Sequence, residues 1–494
     1  MAKRVLAIAG IVLFLSMAVQ LVPAQESGTD LNSLFNEEVV TPSSTPDQTA
    51  PGSSSGATGQ GTTTAASNPL QGLLKTEAVR IGGSVTGTVG ISGTWNDPWT
   101  KGIDITAPDA QQLSPALSSL VYFDARPDEE FRVYGSVKTA WPFSSKYSVL
   151  SSATLVNSTT LSTASTSITV PDVHIFELFS DFQLGDKVYF RFGKATVKWG
   201  VGYFFSPADI INLQPIDIND PTAQREGPLQ FRVLMPFGPS QNTVSFYTIF
   251  DASNPDFSTT ALAGKAEFVL GRYELGLGGY YRDDTAERAA LTLTGPLGKF
   301  DIFAEGVVSR GSPKTFYSFS TSAPYYSISQ PKDHRTTLYP SATAGFLYND
   351  QDNNITAVAQ YYYNGEGYAD SEKSSSIAAL DTLLSTPLPA ATKTTLTGLS
   401  KLFAYGSGRH YAAASLSFSE IGGSDFSASL LGLANFSDLS GFVQPSVSWQ
   451  IADRLKLTGS VLFFFGASDT EYGILRPNSP MTLSVSLSAG TGNF

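Results

Sequence analysis

The sequence of 494 residues contains no cysteine. This absence excludes disulfide bonds, thiolate catalysis and cysteine zinc sites, and it excludes a lipoprotein anchor, which is attached to a cysteine. Charged residues are also scarce, at 15% of the chain, whereas about 25% is usual in soluble proteins. The composition is therefore low in charge for a soluble protein.

Long apolar runs are missing as well. After residue 25, no stretch approaches the ~20 consecutive apolar residues that a transmembrane helix needs. A membrane protein without such helices must close its backbone hydrogen bonds between strands, so it must be a barrel. The net charge of -12 argues against nucleic acid and anionic lipid as partners, and we expect no nucleic-acid partner.

The first residues have the pattern of an export signal. Lys3 and Arg4 precede an apolar run from Val5 to Val19, and small residues around Ala24 form a cleavage site. We therefore expect residues 1–24 to be a cleaved signal peptide. Residues 25–77 are rich in Ser, Thr, Gly and Pro and cannot bury enough apolar surface to fold, so we expect a disordered periplasmic tether.

From residue 78 to 494, apolar and small polar residues alternate in segment after segment. Leu483, Val485 and Leu487, for example, alternate with serine. A period of two gives each strand one apolar and one polar face. About 18 strand candidates follow, with 16 as the alternative count. The sequence predicts an all-β fold, a transmembrane antiparallel up-and-down β-barrel.

The connections between these strands are alternately short and long. The tight turns fall near 126–129, 184–187, 238–241, 270–272, 295–299, 349–354, 421–424 and 451–454. The longer loops lie near 92–114, 141–171, 198–228, 251–260, 310–337, 365–408 and 466–479. Outer-membrane barrels have short periplasmic turns and long extracellular loops, so the asymmetry predicts both the fold and its orientation.

Aromatic residues cluster where the strands meet the long loops. Aromatic rings prefer the boundary between membrane and water, so we expect an interfacial girdle there. The predicted girdle residues are Trp141, Trp199, Tyr203, Tyr280, Tyr281, Tyr361, Tyr362, Tyr363, Phe463 and Phe464.

Two positions disturb the strand pattern. Pro445 cannot donate to a strand ladder, so we expect a bulge there. Strict alternation through Gly193 would place Lys194 and Lys198 on the face of Phe192, which lipid would cover. A bulge at Gly193 would turn these lysines and Thr196 into the lumen, on the same side as Arg191.

The following segment, 200–228, is rich in proline and acidic residues. Its carboxylates are candidate partners for the basic row, and they predict that the segment folds into the barrel and narrows it. A solvated outer loop is the alternative. The predicted lumen and constriction residues are Arg191, Lys194, Lys198, Asp209, Asp217, Asp220, Arg225 and Glu226.

The run from Arg191-Phe-Gly-Lys194 through Phe205-Ser-Pro-Ala-Asp209 to Arg225-Glu-Gly-Pro228 resembles a signature of porin-like outer-membrane barrels of diderm bacteria. It is similar to alginate-export-like and related uncharacterised barrel families. The resemblance implies a barrel and, at most, a conduit function. Such barrels usually end in a phenylalanine that the outer-membrane assembly machinery reads. Phe494 ends this chain, although it is out of phase with Leu483, Val485 and Leu487.

The three histidines lack metal-ligand spacing, and we expect no enzyme, no metal and no cofactor. The sequence predicts an outer-membrane channel for passive passage of small polar or charged solutes, embedded in outer-membrane lipid. A homotrimer is left open. The alternatives are a surface adhesin or structural barrel that binds through loops 310–337 and 365–408, an export conduit for polysaccharide or lipid, and a soluble exported β-sandwich.

Overall fold

The structure, a computed structural model, describes residues 79–491 with short gaps. The gaps are 128–129, 158–159, 213–215, 222, 239–240, 252–255, 284, 324, 330–336, 405 and 475–479. The expected signal peptide, the expected tether and the terminal Phe494 lie outside the described residues. They stay predictions.

Eighteen strands form one closed antiparallel sheet, which confirms the predicted barrel and its larger strand count. Each strand pairs with the next in the chain order, and the first strand pairs with the last from Trp95↔Met481 to Thr86↔Gly490, so the sheet has no edge. The strands are β1 Val79–Trp95, β2 Ala110–Ala125, β3 Phe131–Asn157, β4 Thr160–Leu184, β5 Val188–Lys194, β6 Leu229–Phe237, β7 Asn242–Phe250, β8 Ala261–Leu270, β9 Tyr273–Tyr281, β10 Glu287–Leu297, β11 Phe300–Arg310, β14 Leu338–Asp350, β15 Ile355–Tyr363, β16 His410–Phe418, β17 Phe426–Asn435, β18 Ser440–Ala452, β19 Leu455–Phe465 and β20 Met481–Gly490.

All eight predicted tight turns lie at one end of this barrel, here called the turn end. The connections at the other end, the loop end, include longer segments with structure of their own. These carry the helices α1 Pro98–Lys101, α2 Asp370–Ser385 and α3 Ala390–Ala404, and a separate hairpin of β12 Phe316–Phe319 and β13 Tyr326–Ser329. Within the described residues, no helix has both the length and the apolar character required to cross a membrane.

The two faces of the wall differ as a period of two requires. On β20 and β1, Val485, Leu487 and Ile91 share the outer face and are exposed, while Ser486 and Thr88 share the inner face. Among the strand residues whose side chains the structure describes, charged side chains at outer-face positions occur only at strand ends. They are Lys194, Glu287, Arg310 and Asp350. The middle of the outer face is thus an uncharged belt suited to lipid.

Both predicted bulges are wrong. The pairing of β4 with β5 continues through Gly193 without a register shift, so Lys194 stands opposite Leu178 on the outer face. Pro445 stays in register with Leu430 on β17. The pairing of β18 with β19 is interrupted at Pro445 and resumes at Ser446 in the same register. An interrupted ladder accommodates the missing N–H group of Pro445. Lys194 is the last residue of β5, and its ammonium group bonds the Ile175 carbonyl and pairs with Glu226.

The two faces predict opposite responses to charge at neighbouring positions of β20. Val485→Arg places a cation in the lipid-facing belt, where Val485 is 45% exposed, and should lower the free energy of unfolding by about 2–4 kcal/mol. Ser484→Arg, the matched control on the inner face, should cost much less. Urea titration of both variants in phospholipid vesicles measures this difference, and equal losses would contradict the assignment of the faces.

Candidate functional site in the barrel lumen

Segment 195–228 connects β5 to β6 and lies against the inner face of the wall. Its central anchor is Glu305, a buried residue in the middle of β11. Glu305 Oε1 accepts hydrogen bonds from the backbone N–H groups of Val201 and Gly202, at 2.5 and 2.6 Å, and from Ser206 Oγ at 2.8 Å. Glu305 Oε2 accepts from Ala208 N at 2.8 Å. One carboxylate therefore holds a whole turn of the segment.

Gln360 on β15 is the second anchor. Its Oε1 accepts from the backbone N–H groups of Tyr203, Phe204 and Phe205, and the bond to Phe204 is the shortest at 2.7 Å. Its Nε2 donates to the Phe205 carbonyl at 2.5 Å and to Thr343 Oγ1 at 2.6 Å. Glu305 and Gln360 thus bind consecutive stretches of the segment.

Further inner-face side chains hold the first residues of the segment. Lys265 on β8 donates to the Trp199 carbonyl at 3.0 Å and forms an ion pair with Glu267 at 2.6 Å. Gln230 on β6 donates to the Ala195 carbonyl at 2.9 Å, and Glu177 on β4 accepts from Thr196 N at 3.0 Å. Contacts with strands this far apart in the sheet mean that the segment runs across the interior.

Close packing accompanies these hydrogen bonds. Trp199 is 1% exposed and meets Tyr247 edge to face, with ring centroids 5.7 Å apart. Phe204 is buried in a cluster with wall residues of β15–β19. A Cβ atom on Gly202 would lie 1.9 Å from the Phe205 carbonyl oxygen, so only glycine permits the turn to close this tightly.

The segment is also braced from within. Arg225 forms an ion pair with the buried carboxylate of Asp209. Asn212 bonds both Asp209 and the backbone of Val197, which ties the two limbs of the segment together. Of the predicted constriction residues, Asp209 and Arg225 therefore bind each other.

The other predicted constriction residues are dispersed. Lys194 pairs with Glu226 and donates to the Ile175 carbonyl at 2.8 Å. Lys198 and Asp217 are exposed on the segment, and Asp217 accepts from Asn219 N at 2.9 Å. Burial raises the pKa of the Tyr203 phenol, and the nearby negative charge of Asp220 raises it further.

Arg191 lies on the inner wall, but its partner is on the neighbouring strand and not on the segment. Arg191 makes two bonds to Asp181, at 2.6 and 2.9 Å. Arg132 bonds Asp124 at 2.7 Å and approaches Asp181 at 3.7 Å. Arg232, in register with Arg191, is the third member of this arginine row. Three guanidinium groups and two carboxylates leave the row with a cationic excess.

Five of the predicted girdle residues lie away from the outer face of the wall. Trp199, Tyr203, Tyr280, Tyr362 and Phe464 lie on the inner face or in segment 195–228. For Tyr280, Tyr362 and Phe464 the reason is the strand period, because consecutive aromatic residues of one strand face opposite sides. Trp199 and Tyr203 belong to segment 195–228 and not to a strand. The remaining five, Trp141, Tyr281, Tyr361, Tyr363 and Phe463, occupy outer-face positions toward the loop end.

The part of the inner wall away from the anchors is lined with hydroxyl groups. We call this stretch, on the turn-end half of β17–β19 and along β20 and β1, the hydroxyl wall. It comprises Ser427, Ser429, Ser446, Ser448, Thr458, Ser460, Ser484, Ser486, Ser488 and Thr88. These residues are partly exposed, in contrast to the buried anchors on β11 and β15.

A packed cap covers part of the loop end. Helices α2 and α3, the β12–β13 hairpin and loop 466–474 share an apolar core that includes Leu380, Leu396 and Ile474. The cap is joined to the wall through Glu471, which is 0% exposed and pairs with Lys373. Burial raises the pKa of Glu471, and the nearby ammonium group of Lys373 opposes that shift.

The Glu471 carboxylate also binds the barrel strands directly. Tyr411 of β16 donates its hydroxyl to Glu471 Oε2 at 2.8 Å, and Asn435 of β17 donates its amide at 2.7 Å. Lys314 lies near the charges of Lys373 and Glu471, and burial lowers its pKa to about 8. The loop end is therefore closed in part by a desolvated, charged junction.

The anchors Glu305, Gln360 and Lys265 did not emerge from the sequence as site residues. A signal for them exists, because each is a long polar side chain at the inner-face phase of a strand. Their partners could not be read from the sequence, since the bonds join residues about 60 to 160 positions apart through backbone groups of the segment.

No protein-family model matches the sequence, and no curated protein sequence matches it. Among solved structures, Pseudomonas aeruginosa OccK11 (OpdR) is similar, with a TM-score of 0.45 and 7% identity over 83% of this chain and 95% of that chain. The outer membrane protein OpdK from Pseudomonas aeruginosa is similar with a TM-score of 0.41 and 8% identity, over 84% of this chain and 99% of that chain. A loop-deletion mutant of OmpT, an outer membrane protein of Vibrio cholerae, is similar with a TM-score of 0.35 and 9% identity, over 84% of this chain and 99% of that chain.

Similarities this distant carry no argument about function. The architecture itself, a closed 18-stranded antiparallel barrel with a loop segment against its inner wall, is that of a porin-like barrel. The narrower resemblance to alginate-export-like families stays a prediction.

Each of the two anchors should protect a different set of backbone amides in the segment from hydrogen exchange. Hydrogen bonds to a charged group contribute about 1.5–3 kcal/mol, so Glu305→Ala should speed exchange at Val201, Gly202 and Ala208 by roughly 10–100-fold. Gln360→Ala should mainly affect residues 203–205. Hydrogen–deuterium exchange read by mass spectrometry separates these stretches. Glu287→Ala, a rim glutamate, is the control, and unchanged exchange in both anchor variants would contradict the assignment.

The buried ion pair at the cap junction should contribute more to stability than an exposed ion pair. Lys373→Met leaves the Glu471 carboxylate buried without its cation and should lower the free energy of unfolding by about 3–5 kcal/mol. Arg310→Ala breaks the pair with Glu287, in which Arg310 is 54% exposed, and should cost no more than about 1 kcal/mol. Denaturant unfolding in vesicles measures both, and the double variant Lys373→Met/Glu471→Leu should recover much of the loss. Similar small losses in both single variants would show that the junction does not hold the cap.

Proposed function

We propose that this chain is an outer-membrane channel for passive passage of small polar or charged solutes, and that segment 195–228 narrows its lumen. A barrel of 16 to 18 strands is wide enough to enclose a water-filled passage. The belt without charge on the outer face of β20 and its neighbours suits a lipid environment. A closed barrel satisfies its backbone hydrogen bonds between strands, which allows it to span an outer membrane.

The observation that carries the proposal is the division of the inner wall. Segment 195–228 is bound to Glu177, Lys265, Glu305 and Gln360, on the side of the barrel from β4 to β15. The hydroxyl wall faces the remaining interior with partly exposed side chains. Small hydroxyl groups exchange hydrogen bonds with water readily, so a polar solute can leave part of its hydration shell there.

The arginine row gives this passage a charge. Arg132, Arg191 and Arg232 face the interior in one lateral row, and Asp124 and Asp181 offset two of the three positive charges. Fixed charges that line a narrow aqueous passage select ions by sign. We therefore propose a modest preference for anions or for solutes that carry a carboxylate or phosphate group.

Planar-bilayer recordings of the purified protein test the channel directly. The wild-type chain should show stepwise conductance, and Glu305→Ala/Gln360→Ala should raise the unit conductance at least about twofold, because the segment then leaves the lumen. Glu287→Ala should leave the conductance unchanged. Insertion without conductance in both the wild-type and the double variant would refute the channel function. A conducting double variant with the wild-type step size would refute the narrowing by the segment.

A further inference from the structure

A partly open cavity of about 450 Å³ lies inside the barrel toward the loop end, between segment 195–228 and the wall. Its lining on the wall side comes from inner-face residues in the loop-end halves of β15–β19 and includes Tyr362, Tyr411, Leu433, Phe442, Leu462 and Phe464. Phe205 closes it from the segment and stacks on Tyr362 with ring centroids 5.1 Å apart. We call this space the aromatic pocket.

The lining of the aromatic pocket differs from that of the passage below it. On β18 and β19, the residues nearer the turn end on the same inner face are Ser446, Ser448 and Ser460, whereas Phe442 and Phe464 lie toward the loop end. Apolar side chains in a lumen repel water, so this stretch does not simply continue the hydroxyl wall. A surface of aromatic rings and leucines does suit the face of an apolar ring compound.

The polar groups of the pocket restrict the charge of its occupant. Asp217 and Asn219 are exposed at its margin, on the segment. The Asp217 carboxylate accepts from Asn219 N at 2.9 Å and has capacity for a further donor. Among the described residues that line the pocket, none is basic. A carboxylate ligand would meet a like charge and no cation, whereas an N–H or O–H group would meet an acceptor.

We infer that the aromatic pocket binds a small uncharged aromatic solute with one N–H or O–H donor directed at Asp217. The volume is within the range of pockets that enclose small organic ligands, about 300–1,000 Å³. The solute's role as cargo rests on the channel function proposed above, since the pocket lies between the loop end and the hydroxyl wall. Binding itself does not depend on conduction.

Equilibrium dialysis of labelled indole against the protein in lipid nanodiscs tests the inference. Indole should bind saturably at one site beyond its partition into empty nanodiscs. Leu462→Asn should weaken this binding about tenfold or more, because it replaces apolar lining with an amide. Leu120→Asn, a change at an inner-face leucine of β2 away from the pocket, should leave it unchanged. If Leu462→Asn fails to fold, Leu462→Trp fills the pocket instead and should also abolish saturable binding.

Indole-3-acetate, the carboxylate counterpart, should bind at least about tenfold more weakly than indole. Equal or tighter binding of this anion would overturn the inferred solute class, and purely non-saturable uptake of indole would overturn the pocket as a binding site. Conductance without indole binding would refute the pocket and retain the channel. Saturable indole binding without conductance would retain the pocket and refute the channel.

Discussion

A loop segment that turns inside a barrel brings backbone N–H groups away from water, and each buried group without a partner costs about 1–3 kcal/mol. Segment 195–228 meets this constraint through two wall side chains. The carboxylate of Glu305 accepts from Val201, Gly202 and Ala208, and the amide of Gln360 accepts from residues 203–205. Without these acceptors, six backbone N–H groups between residues 201 and 208 would lose their partners.

The position of the segment determines what the rest of the interior can do. The segment lies on the side of β4 to β15, so the hydroxyl wall is left for a polar passage and the space beside Phe205 becomes an apolar pocket. The cap adds a second layer at the loop end, bound to β16 and β17 through Glu471. Polar passage is therefore proposed for the hydroxyl wall and solute binding for the aromatic pocket, and the same barrel positions both.

The sequence was sufficient for the barrel because strand faces and turns are local properties. Alternation such as Leu483, Val485 and Leu487, together with the turn residues, predicted the closed antiparallel fold and all eight tight turns. The sequence did not predict which face an aromatic residue occupies where such residues are consecutive. Tyr361 and Tyr362, for example, point to opposite sides of the wall. The contacts of the site residues could not be predicted as well. Arg191 pairs with Asp181 on the adjacent strand and not with the segment, and the anchors bind backbone groups that leave no sequence pattern.

The position of segment 195–228 inside the barrel is tested most directly by cross-linking. The chain has no cysteine, so Phe205→Cys/Tyr362→Cys introduces the only two thiols, at side chains whose rings are 5.1 Å apart. A short thiol-to-thiol reagent applied to the protein in membranes should join this pair in high yield. Phe205→Cys/Ser486→Cys, which places the second thiol on the hydroxyl wall, should stay unjoined. Failure of the first pair to cross-link, or equal yields for both, would contradict the placement of the segment against β15.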